Sequence, residues 1–464
     1  MIQKLPFKCV HFVGIGGIGM SAIAEMVQAL NITVQGSDKA ENDNVKRLRQ
    51  KGIQIFIGHS EDNIKNADAI IYSTATKENI EVTSARQQHI PVGHRSEMLA
   101  ELLKLKKSIC VAGTHGKTTT SSLIASLLVE AGLDPSFIIG GILNAQKSNA
   151  QMGLGEWVVA EADESDGSFL RLPSTISVVT NIDPEHLDHY KSFDNEKAAF
   201  LTMLNQTSFY GLNILCVDNP TIREILPRIH ERNNITYGID SPADIQAKNI
   251  QVTPTGSCFD VVGTLNGKEI NLSAVNLNMM GEHNILNALA AIIVATYLGI
   301  DENLIKKTLA SFQGIQRRLT LRGTANGTPI YDDYAHHPNE IKATLSALKQ
   351  HINGRLIAVW QPHRWTRFTD LYFEFLNAFT LADRVFVTDV YTAGENPIPG
   401  LTPQSFVEKL SSTKPATYVS LDNLVQELKQ ELQPSDTIVC LGAGSISAKA
   451  KTLPQLLGEN HEES

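Results

Sequence analysis

The segment of this sequence best equipped for chemistry is AGTHGKTTT, a glycine turn that carries a lysine and four threonines. The apolar run SICVAG before it is typical of a buried strand, and SSLIASLLVEAG after it is typical of a helix. A glycine turn between a strand and a helix directs several backbone N–H groups at one point, which suits a phosphate. The segment therefore predicts a triphosphate cradle of consecutive residues, Gly113, Thr114, His115, Gly116, Lys117, Thr118 and Thr119.

Two side chains of this turn have specific tasks in such a cradle. Lys117 can reach the β- and γ-phosphates of a nucleotide, and the Thr118 hydroxyl can ligate Mg²⁺. The spacing departs from the usual G-x-x-x-x-G-K-[ST] pattern, because Val111 stands where the first glycine belongs. The alternative is a glycine turn that only precedes a helix, beside an incidental lysine. The strand before it, the helix after it and the run of threonines argue against that alternative.

Acidic and imidazole side chains follow two more strand-like runs. WVVA is followed by Glu161 in EADESD, and TISVVTNI delivers Asn181, Asp183, His186 and His189. A carboxylate at the C-terminal end of a parallel strand can bind Mg²⁺ or hold water, and an imidazole can contact a metal or a substrate oxygen. Taken alone, EADESD is more often a solvated loop and DPEH a helix cap. Their shared position at strand ends favours a site.

A second glycine loop, GIGGIGM, directly follows the strand-like run CVHFV. Gly14, Gly16 and Gly19 match the G-x-G-x-x-G pattern, and Asp38 follows the next predicted strand. This combination predicts a Rossmann-type site, with a pyrophosphate at the helix N-terminus and a carboxylate near a ribose hydroxyl. It leaves the ligand open, because a dinucleotide and a UDP-sugar would use the same donors.

Further polar motifs lie downstream. For each of them taken alone, the alternative to a functional role is a surface salt bridge. Asn284 and Asn287 are neighbours on one helix face and can bond a planar base edge. Paired arginines in QRR can brace a transferring phosphoryl group. QPHRWTRF follows a predicted strand, which places its cations where a substrate carboxylate would bind. The residues of these later motifs are Arg317, Arg318, Asp332, Asp333, His336, His337, His363, Arg364 and Arg367.

Composition narrows the class of protein. A net charge of −9 and a pI near 5.9 give no general attraction to nucleic acid or anionic lipid. No apolar stretch reaches the roughly 20 residues of a membrane span, and no signal peptide is recognisable. The five cysteines lie far apart, without a C-x-x-C pair. We therefore expect a reduced, cytoplasmic enzyme, a monomer or homodimer, with no nucleic-acid partner and no membrane insertion.

Strand–glycine loop–helix patterns occur three times, the last in TIVCLGAGSIS, and strand-like runs alternate with helical stretches between them. The sequence therefore predicts an α/β fold with three domains. These are an N-terminal Rossmann-like domain (1–106), a central P-loop ATP-binding domain (107–314) and a C-terminal Rossmann-like domain (315–464). The alternating segment from about 245 to 278 predicts a small antiparallel meander attached to the central parallel sheet.

Taken in order, these motifs resemble the Mur ligase family of peptidoglycan synthesis over nearly the whole chain. The ordered set is GIGGIGM, AGTHGKTTT, EADESD, TNI-x-x-x-HLD, G-x-HN-x-x-NA, QRR, DDYAHHP, PHR-x-TR and AGE-x-PIPG. The resemblance implies that ATP phosphorylates the lactyl carboxylate of UDP-N-acetylmuramate. The L-alanine amine then attacks the acyl phosphate, which gives UDP-N-acetylmuramoyl-L-alanine, ADP and phosphate.

The resemblance also implies a role for each motif. Lys117, Glu161, His186 and Arg318 would be catalytic, and Thr118, Glu161 and His186 would hold Mg²⁺. Asn284 and Asn287 would hold adenine, and Arg318 and Asp333 would complete the ATP site. The UDP-sugar would contact Gly16, Gly17, Ile18, Ser37, Asp38, Ser73, Thr74, Arg95, Asn181 and His189. The amino acid would contact His337, His363, Arg364 and Arg367.

One position departs from the family pattern. Sibling ligases that add later amino acids carry a carbamylated lysine fourteen residues after the metal-site histidine, and counting from His186 reaches Phe200 here. Lys197 lies three residues before that position, and no carbamylated lysine is predicted. Three other functions stay open: a murein-peptide recycling ligase, an NAD-dependent dehydrogenase and a non-catalytic nucleotide switch.

Overall fold

The computed structural model describes residues 5–146, 148–253 and 256–458. The chain folds into two compact units. The first comprises Met1–Gln251, Cys258–Asn278 and Asn284–Gln313, and the second comprises Val252–Ser257, Met279–His283 and Gly314–Ser464. No helix among the described residues is long and apolar enough to cross a membrane.

A five-stranded parallel sheet forms the N-terminal part of the first unit, in the order β3-β2-β1-β4-β5. Its strands are β1 (Cys9–Val13), β2 (Thr33–Asp38), β3 (Gln54–Ile57), β4 (Ala69–Tyr72) and β5 (Val92–His94). Its helices are α1 (Ile18–Ala29), α2 (Asp43–Gln50), α3 (Ile80–Gln87) and α4 (Arg95–Leu103). The register pairs Val13 with Ser37, so the glycine loop and the end of β2 lie at the same edge of the sheet.

A ten-stranded sheet forms the rest of the first unit, in the order β15-β14-β13-β12-β11-β10-β6-β9-β7-β8. Its strands are β6 (Lys107–Ala112), β7 (Ser136–Leu143), β8 (Ser148–Gln151), β9 (Trp157–Glu161), β10 (Ile176–Val179), β11 (Leu212–Cys216), β12 (Asn234–Gly238), β13 (Ile245–Thr253), β14 (Gly256–Leu265) and β15 (Lys268–Leu277). The helices are α5 (Lys117–Glu130), α6 (Leu187–Tyr190), α7 (Phe193–Gln206), α8 (Pro220–Ile225), α9 (Glu282–Tyr297) and α10 (Glu302–Ala310).

The centre of this sheet places the chemistry-bearing segments together. β6 runs parallel to β9 on one side and to β10 on the other. The register pairs Val111 with Glu161 and Ala112 with Val179, so the phosphate loop, EADESD and TNIDPEH all begin at one edge. The predicted meander is present as β13, β14 and β15. β7 and β8 form an antiparallel hairpin at one edge of this sheet, which the sequence did not predict.

The second unit contains a six-stranded sheet in the order β16-β17-β21-β18-β19-β20. Its strands are β16 (Thr320–Ala325), β17 (Thr328–Asp333), β18 (Leu356–Trp360), β19 (Arg384–Val387), β20 (Ala416–Tyr418) and β21 (Thr437–Leu441). The helices are α11 (Pro338–Lys349), α12 (Trp365–Asp370), α13 (Tyr372–Leu376), α14 (Pro403–Leu410), α15 (Leu424–Glu431) and α16 (Ile446–Gly458).

An aromatic cluster forms part of the core of the second unit. The ring of Trp360, fully buried at the end of β18, lies 4.7 to 5.6 Å from those of Phe368, Phe375, Phe379 and Phe406. Such aromatic contacts hold α12, α13 and α14 against one face of the sheet, because large rings bury much apolar area in specific geometries. The α/β class predicted from the sequence is confirmed, and each predicted domain range contains one sheet. The domain boundaries themselves stay a prediction.

Candidate active site

The phosphate loop adopts backbone conformations that only glycine reaches easily. Gly113 has φ +129°, and Gly116, which precedes α5, has φ +83°. A methyl group at Gly113 would collide with Thr180 Oγ1, and one at Gly116 would lie 2.5 Å from Asn287 Oδ1. The two glycines are therefore required both by backbone angle and by space, and the loop they form opens at the N-terminus of α5.

The end of β10 holds the loop in shape. His115 N donates to Asn181 Oδ1 at 2.8 Å, and Asn181 Nδ2 donates back to His115 O at 3.0 Å. Asp183 N donates to Thr114 Oγ1 at 2.8 Å. Asn181, which the family pattern assigns to the sugar, thus braces the phosphate loop in this structure.

Lys117 is folded over its own loop. Its Nζ donates to Gly113 O at 2.5 Å, to Thr114 O at 3.1 Å and to Glu164 Oε1 at 2.8 Å. Burial lowers the pKa of Lys117, but the charges of Glu164 and Glu161 outweigh it and raise that pKa above its ordinary value. The ammonium group is therefore charged and lies where phosphate oxygens would be received.

Thr118 and Glu161 form the predicted metal pair. The Thr118 hydroxyl donates to both carboxylate oxygens of Glu161, at 3.2 and 3.0 Å, and Gly140 N donates to Glu161 Oε2 at 2.7 Å. A hydroxyl and a carboxylate are ligands that Mg²⁺ accepts. The pairing of β6 with β9 brings the two residues together from positions 43 apart in the sequence.

A second group of possible metal ligands adjoins Lys117. Glu164, Glu185 and His186 offer ligand atoms that all lie within 4.8 Å of one another. His186, with φ +54°, directly precedes α6, and its Nε2 lies 3.8 Å from Glu164 Oε1. Glu164 is buried, and its Oε2 has no hydrogen-bond partner among the described residues. An unsatisfied buried carboxylate oxygen fits a cation ligand, so these side chains and the Thr118–Glu161 pair are compatible with bound Mg²⁺.

Glu164 is the residue that sequence reasoning missed here. It lies inside EADESD, three residues after Glu161, where an acidic loop gives no sign of which carboxylate turns inward. Its partnership with Lys117 depends on the loop after β9 folding back over the phosphate loop, which no local pattern specifies.

The two predicted adenine ligands lie on α9. Asn287 Oδ1 accepts a hydrogen bond from Thr120 Oγ1 at 3.1 Å, and its Nδ2 donates to Asn284 Oδ1 at 3.2 Å. Both asparagines are buried, as is Thr119 on α5. The pair therefore joins α9 to the base of the phosphate loop, and its role toward adenine stays a prediction.

The N-terminal glycine loop is held against the end of β2. Gly14 N and Ile15 N both donate to Ser37 O, at 2.8 and 2.9 Å, and Gly16 N donates to Asp38 Oδ2 at 2.8 Å. Gly17 and Ile18 mark the start of α1. The structure thus brings Gly16, Gly17, Ile18, Ser37 and Asp38 to one sheet edge, as the Rossmann pattern predicts.

The other predicted UDP-sugar residues face the acidic segment of the neighbouring sheet. Arg95 Nη2 lies 2.7 Å from Asp163 Oδ2, and the Thr74 hydroxyl donates to Asp166 Oδ2 at 3.1 Å. Ser73 N donates to Thr76 Oγ1 in the turn after β4. His189 stacks edge-on against Tyr190 at 4.8 Å. Arg95 and Thr74 therefore connect the first sheet to the segment that also carries Glu161 and Glu164.

In the second unit, Arg318 and Asp333 have partners of their own. The Arg318 guanidinium lies 5.4 Å from the Tyr334 ring centre and 3.8 Å from Glu340. Asp333 is buried and accepts from Leu319 N at 2.6 Å and Ala335 N at 2.7 Å. These bonds fix the backbone around QRR and DDYAHHP, and the roles of both residues toward ATP stay predictions.

The residues predicted for the amino acid lie at the ends of β17 and β18. His337 caps α11 through its Nδ1, which accepts from Asn339 N at 3.3 Å. The His363 and Arg367 side chains lie 3.2 Å apart, and His363 stacks on Tyr391 with 5.4 Å between ring centres. Burial, and then the nearby cations, lower the pKa of His363 to about 3, so this ring is neutral near pH 7.

Arg364 adopts a left-handed φ of +67°, which is costly for a residue with a Cβ. Its Nε donates to Glu395 Oε1 at 2.6 Å, and Thr366 N donates to Glu395 Oε2 at 3.0 Å. Glu395, which belongs to AGENPIPG, therefore holds the strained turn. The quoted motif contained this glutamate, but no role was predicted for it.

Phe200 occupies the position of the missing carbamylated lysine. It is fully buried on α7 and packs edge-to-face on Phe169 at 5.2 Å between ring centres. Lys197 instead forms ion pairs with Asp194 at 2.8 Å and Glu224 at 2.9 Å. A charged side chain cannot replace Phe200 without leaving its charge in an apolar contact.

Comparison with known proteins identifies the family. The model of the Mur ligase family catalytic domain matches residues 9–107, that of the Mur ligase middle domain residues 111–295, and that of the glutamate ligase domain residues 317–444.

The chain belongs to the Mur ligase family.

This Mur ligase is similar over its whole length to curated relatives. It is 49% identical to the UDP-N-acetylmuramate–L-alanine ligase of Rhizobium johnstonii, over 98% of each chain. It is also 49% identical to the ligase of that name from Rhodospirillum rubrum, over 98% of this chain and 96% of the relative. The family resemblance drawn from the ordered motifs is thereby confirmed.

Solved structures of the family share the fold. The UDP-N-acetylmuramate-alanine ligase MurC of Thermotoga maritima aligns with a TM-score of 0.81 at 29% identity, over 97% of this Mur ligase and 98% of that chain. A murein peptide ligase of Psychrobacter arcticus aligns with a TM-score of 0.71 at 24% identity, over 97% and 99% of the two chains. At that identity the second likeness concerns the fold alone.

Proposed function

We propose that this Mur ligase uses ATP to join L-alanine to the lactyl carboxylate of UDP-N-acetylmuramate. The observation that carries the proposal is the convergence at one sheet edge of Lys117 with the Thr118–Glu161 pair, beside the buried Glu164. The full-length similarity to curated ligases of that name supports the choice of substrates.

The proposed reaction has two steps. A carboxylate oxygen of the lactyl group attacks the γ-phosphorus of ATP, and ADP leaves. The alanine amine then attacks the acyl carbon, and the tetrahedral adduct loses a proton and expels phosphate as the amide forms. Because phosphoryl transfer needs positioning and charge neutralisation more than covalent help, a loop of N–H groups with a charged lysine suits the first step.

Residues of the first unit provide the neutralising charge and the candidate metal ligands. Lys117 meets the terminal phosphates, and the N–H groups at the start of α5 receive their oxygens. Thr118, Glu161 and His186 would hold Mg²⁺. Bound Mg²⁺ offsets negative charge on the phosphate oxygens. The predicted roles of Arg318, Asp333, His337, His363, Arg364 and Arg367 in the second unit follow from the family pattern.

A scan of amino acids in a phosphate-release assay tests the proposal. With ATP, Mg²⁺ and UDP-N-acetylmuramate present, we expect phosphate release on adding L-alanine and little with other amino acids. The product should gain the mass of one alanine residue. Release that requires a tripeptide instead of alanine would favour the murein-peptide recycling reaction. ATP binding without phosphate release under any of these conditions would favour a nucleotide switch.

A further inference from the structure

A fully buried carboxylate, Glu81 on α3, is the centre of a polar network, and none of the roles above uses Glu81 itself. Its partners are Ser37 Oγ at 2.5 Å, Asn63 Nδ2 at 2.6 Å, Ser60 N at 3.2 Å, His11 Nε2 at 3.3 Å and His59 Nδ1 at 3.4 Å. Gln35 extends the network, since its Nε2 donates to Asn63 O at 2.8 Å. A carboxylate with this many partners holds several segments in fixed positions at once.

The hydrogen bonds of this network favour the ionised form of the Glu81 carboxylate. Burial raises the pKa of Glu81, but the hydrogen bonds from His11, Ser37 and Asn63 outweigh it and lower that pKa to about 2. Removing one side of such a network leaves buried polar atoms unpaired, which is costly. The network is therefore suited to keep its members in one arrangement.

Two members of the network reach the edge of the sheet where the nucleoside is expected. Ser37 immediately precedes Asp38 on β2, and His59 follows β3, the strand next to β2. The His59 Nδ1 lies 3.0 Å from Ser37 Oγ, and Gly58 N donates to Asp38 O at 2.8 Å. The side chain of His59 keeps 15% of its surface exposed, whereas that of Glu81 has none.

The order of the strands in the sheet predicts where the successive parts of the ligand lie along its edge. In a Rossmann-type site the diphosphate lies at the glycine loop after the first strand, and the ribose lies by the carboxylate after the second. Here those positions are Gly16 after β1 and Asp38 at the end of β2. Continuing outward across the sheet leads to β3 and to His59. The nucleoside base therefore comes next to this imidazole.

We propose that His59 contacts the uracil of UDP-N-acetylmuramate and that Glu81 is a positioning residue that fixes the His59 ring. Because Glu81 and Ser37 hold one ring nitrogen, the ring has a fixed rotation and presents a defined edge to the base. This inference rests on the proposed function for the identity of the base. It assigns base recognition to a residue outside both glycine loops.

Steady-state kinetics of the full chain test the inference. His59→Ala should raise the KM for UDP-N-acetylmuramate about tenfold, the effect of losing one hydrogen bond and its packing. The KM for ATP and that for alanine should change less than twofold. The inhibition constant for UDP should rise with the substrate KM. That for CDP should hardly change, because the lost contact is to uracil, which CDP lacks. An unchanged KM for UDP-N-acetylmuramate would overturn the proposal.

A double-mutant cycle tests the positioning role. Glu81→Gln should raise the same KM, and the double variant His59→Ala/Glu81→Gln should be no worse than His59→Ala alone, because Glu81 acts through His59. If the two substitutions raise the KM by factors that multiply in the double variant, Glu81 does not act through His59 and its positioning role is overturned. Should Glu81→Gln fail to fold, Asn63→Asp disturbs the same network from another side, and it should raise that KM only while His59 is present.

Two controls complete the experiment. His89→Asn removes an exposed histidine of the same domain, at a left-handed φ of +56° that asparagine tolerates, and should change no constant. Calorimetric binding of UDP alone separates this inference from the proposed function. If the wild type binds UDP but ligates nothing, the proposed function fails, and loss of UDP binding in His59→Ala still supports the assignment of His59.

Discussion

Lys117 Nζ lies 2.8 Å from Glu164 Oε1, so the lysine of the phosphate loop already has a carboxylate partner in the first unit. The same ammonium group also donates to two carbonyl oxygens of its own loop. Phosphate oxygens must therefore replace existing partners of Lys117. Binding of ATP to this loop is an exchange of one set of charged contacts for another.

Removing the carboxylate partner should ease that exchange. We expect Glu164→Gln to lower the KM for ATP about threefold, because it removes a competing negative charge beside the loop. Steady-state kinetics at saturating Mg²⁺ measure this, with the exposed Glu130→Gln as control. A rise in the KM for ATP would instead assign Glu164 to holding the nucleotide through its metal.

Removing Lys117 should abolish the first step. Lys117→Ala is expected to keep the fold and the binding of UDP-N-acetylmuramate, and to lower kcat at least about a hundredfold, because it loses the charge on the transferring group. Phosphate release and calorimetry measure the two effects. Lys104→Ala, whose side chain is 56% exposed, is the control. Retained turnover in a purified sample would refute the role of Lys117.

Gly140 lies against the carboxylate of Glu161. A methyl group at this position would lie 2.7 Å from Glu161 Oε2, the atom that accepts from Gly140 N. Gly140→Ala should therefore displace the carboxylate and raise the Mg²⁺ concentration for half-maximal ligation about tenfold. Gly93→Ala, whose methyl group would meet Ile71 Cδ1 at 3.4 Å, is the control. An unchanged Mg²⁺ requirement would separate Glu161 from the metal.

Glu395 holds the left-handed turn at Arg364. Glu395→Gln should weaken the ion pair with Arg364 and raise the KM for L-alanine about fivefold, because a loosened guanidinium binds a carboxylate less well. The KM for ATP should stay constant. Glu374→Gln, an exposed change in the same unit, is the matched control. Equal changes in all three Michaelis constants would mean that Glu395 supports only the fold.

The stability of the chain should depend on Glu81 in a pH-dependent way. Its pKa is about 2 in the folded protein against an ordinary value of 4.5, so its contribution is complete above pH 4.5 and is lost as the pH falls toward 2. Glu81→Gln lacks that contribution. The free energies of unfolding of the two proteins should therefore differ most at neutral pH. That difference should shrink by about 3 kcal/mol or less as the pH falls to 3. Urea unfolding at a series of pH values measures this, and a constant difference would contradict it.

The sequence predicted the strands and loops that carry the chemistry. CVHFV, SICVAG, WVVA and TISVVTNI all form strands, and both glycine loops lie at C-terminal strand ends. These elements are predictable because apolar runs bounded by glycine turns have few alternative structures. The hairpin of β7 and β8 was missed, since its segment contains no regular alternation.

The partners of the candidate residues could not be read from the sequence. Glu164 and Glu81 each sit among other polar residues, and only the packing of neighbouring loops selects the carboxylate that is buried. The same holds for Asn181 and Asn287, which meet the phosphate loop from β10 and α9. Such contacts join residues more than 60 positions apart. Local composition does not determine them.

The bond from Gly16 N to Asp38 Oδ2 has a further consequence for the turnover of the enzyme. Because Asp38 belongs to the same chain as the glycine loop, its carboxylate competes for Gly16 N at a high effective concentration. A small anion from solution therefore displaces it poorly. A diphosphate that also carries a ribose and a base makes enough contacts to do so. The phosphate expelled in each catalytic cycle would thus be kept from occupying the cleft that the next UDP-linked molecule must enter.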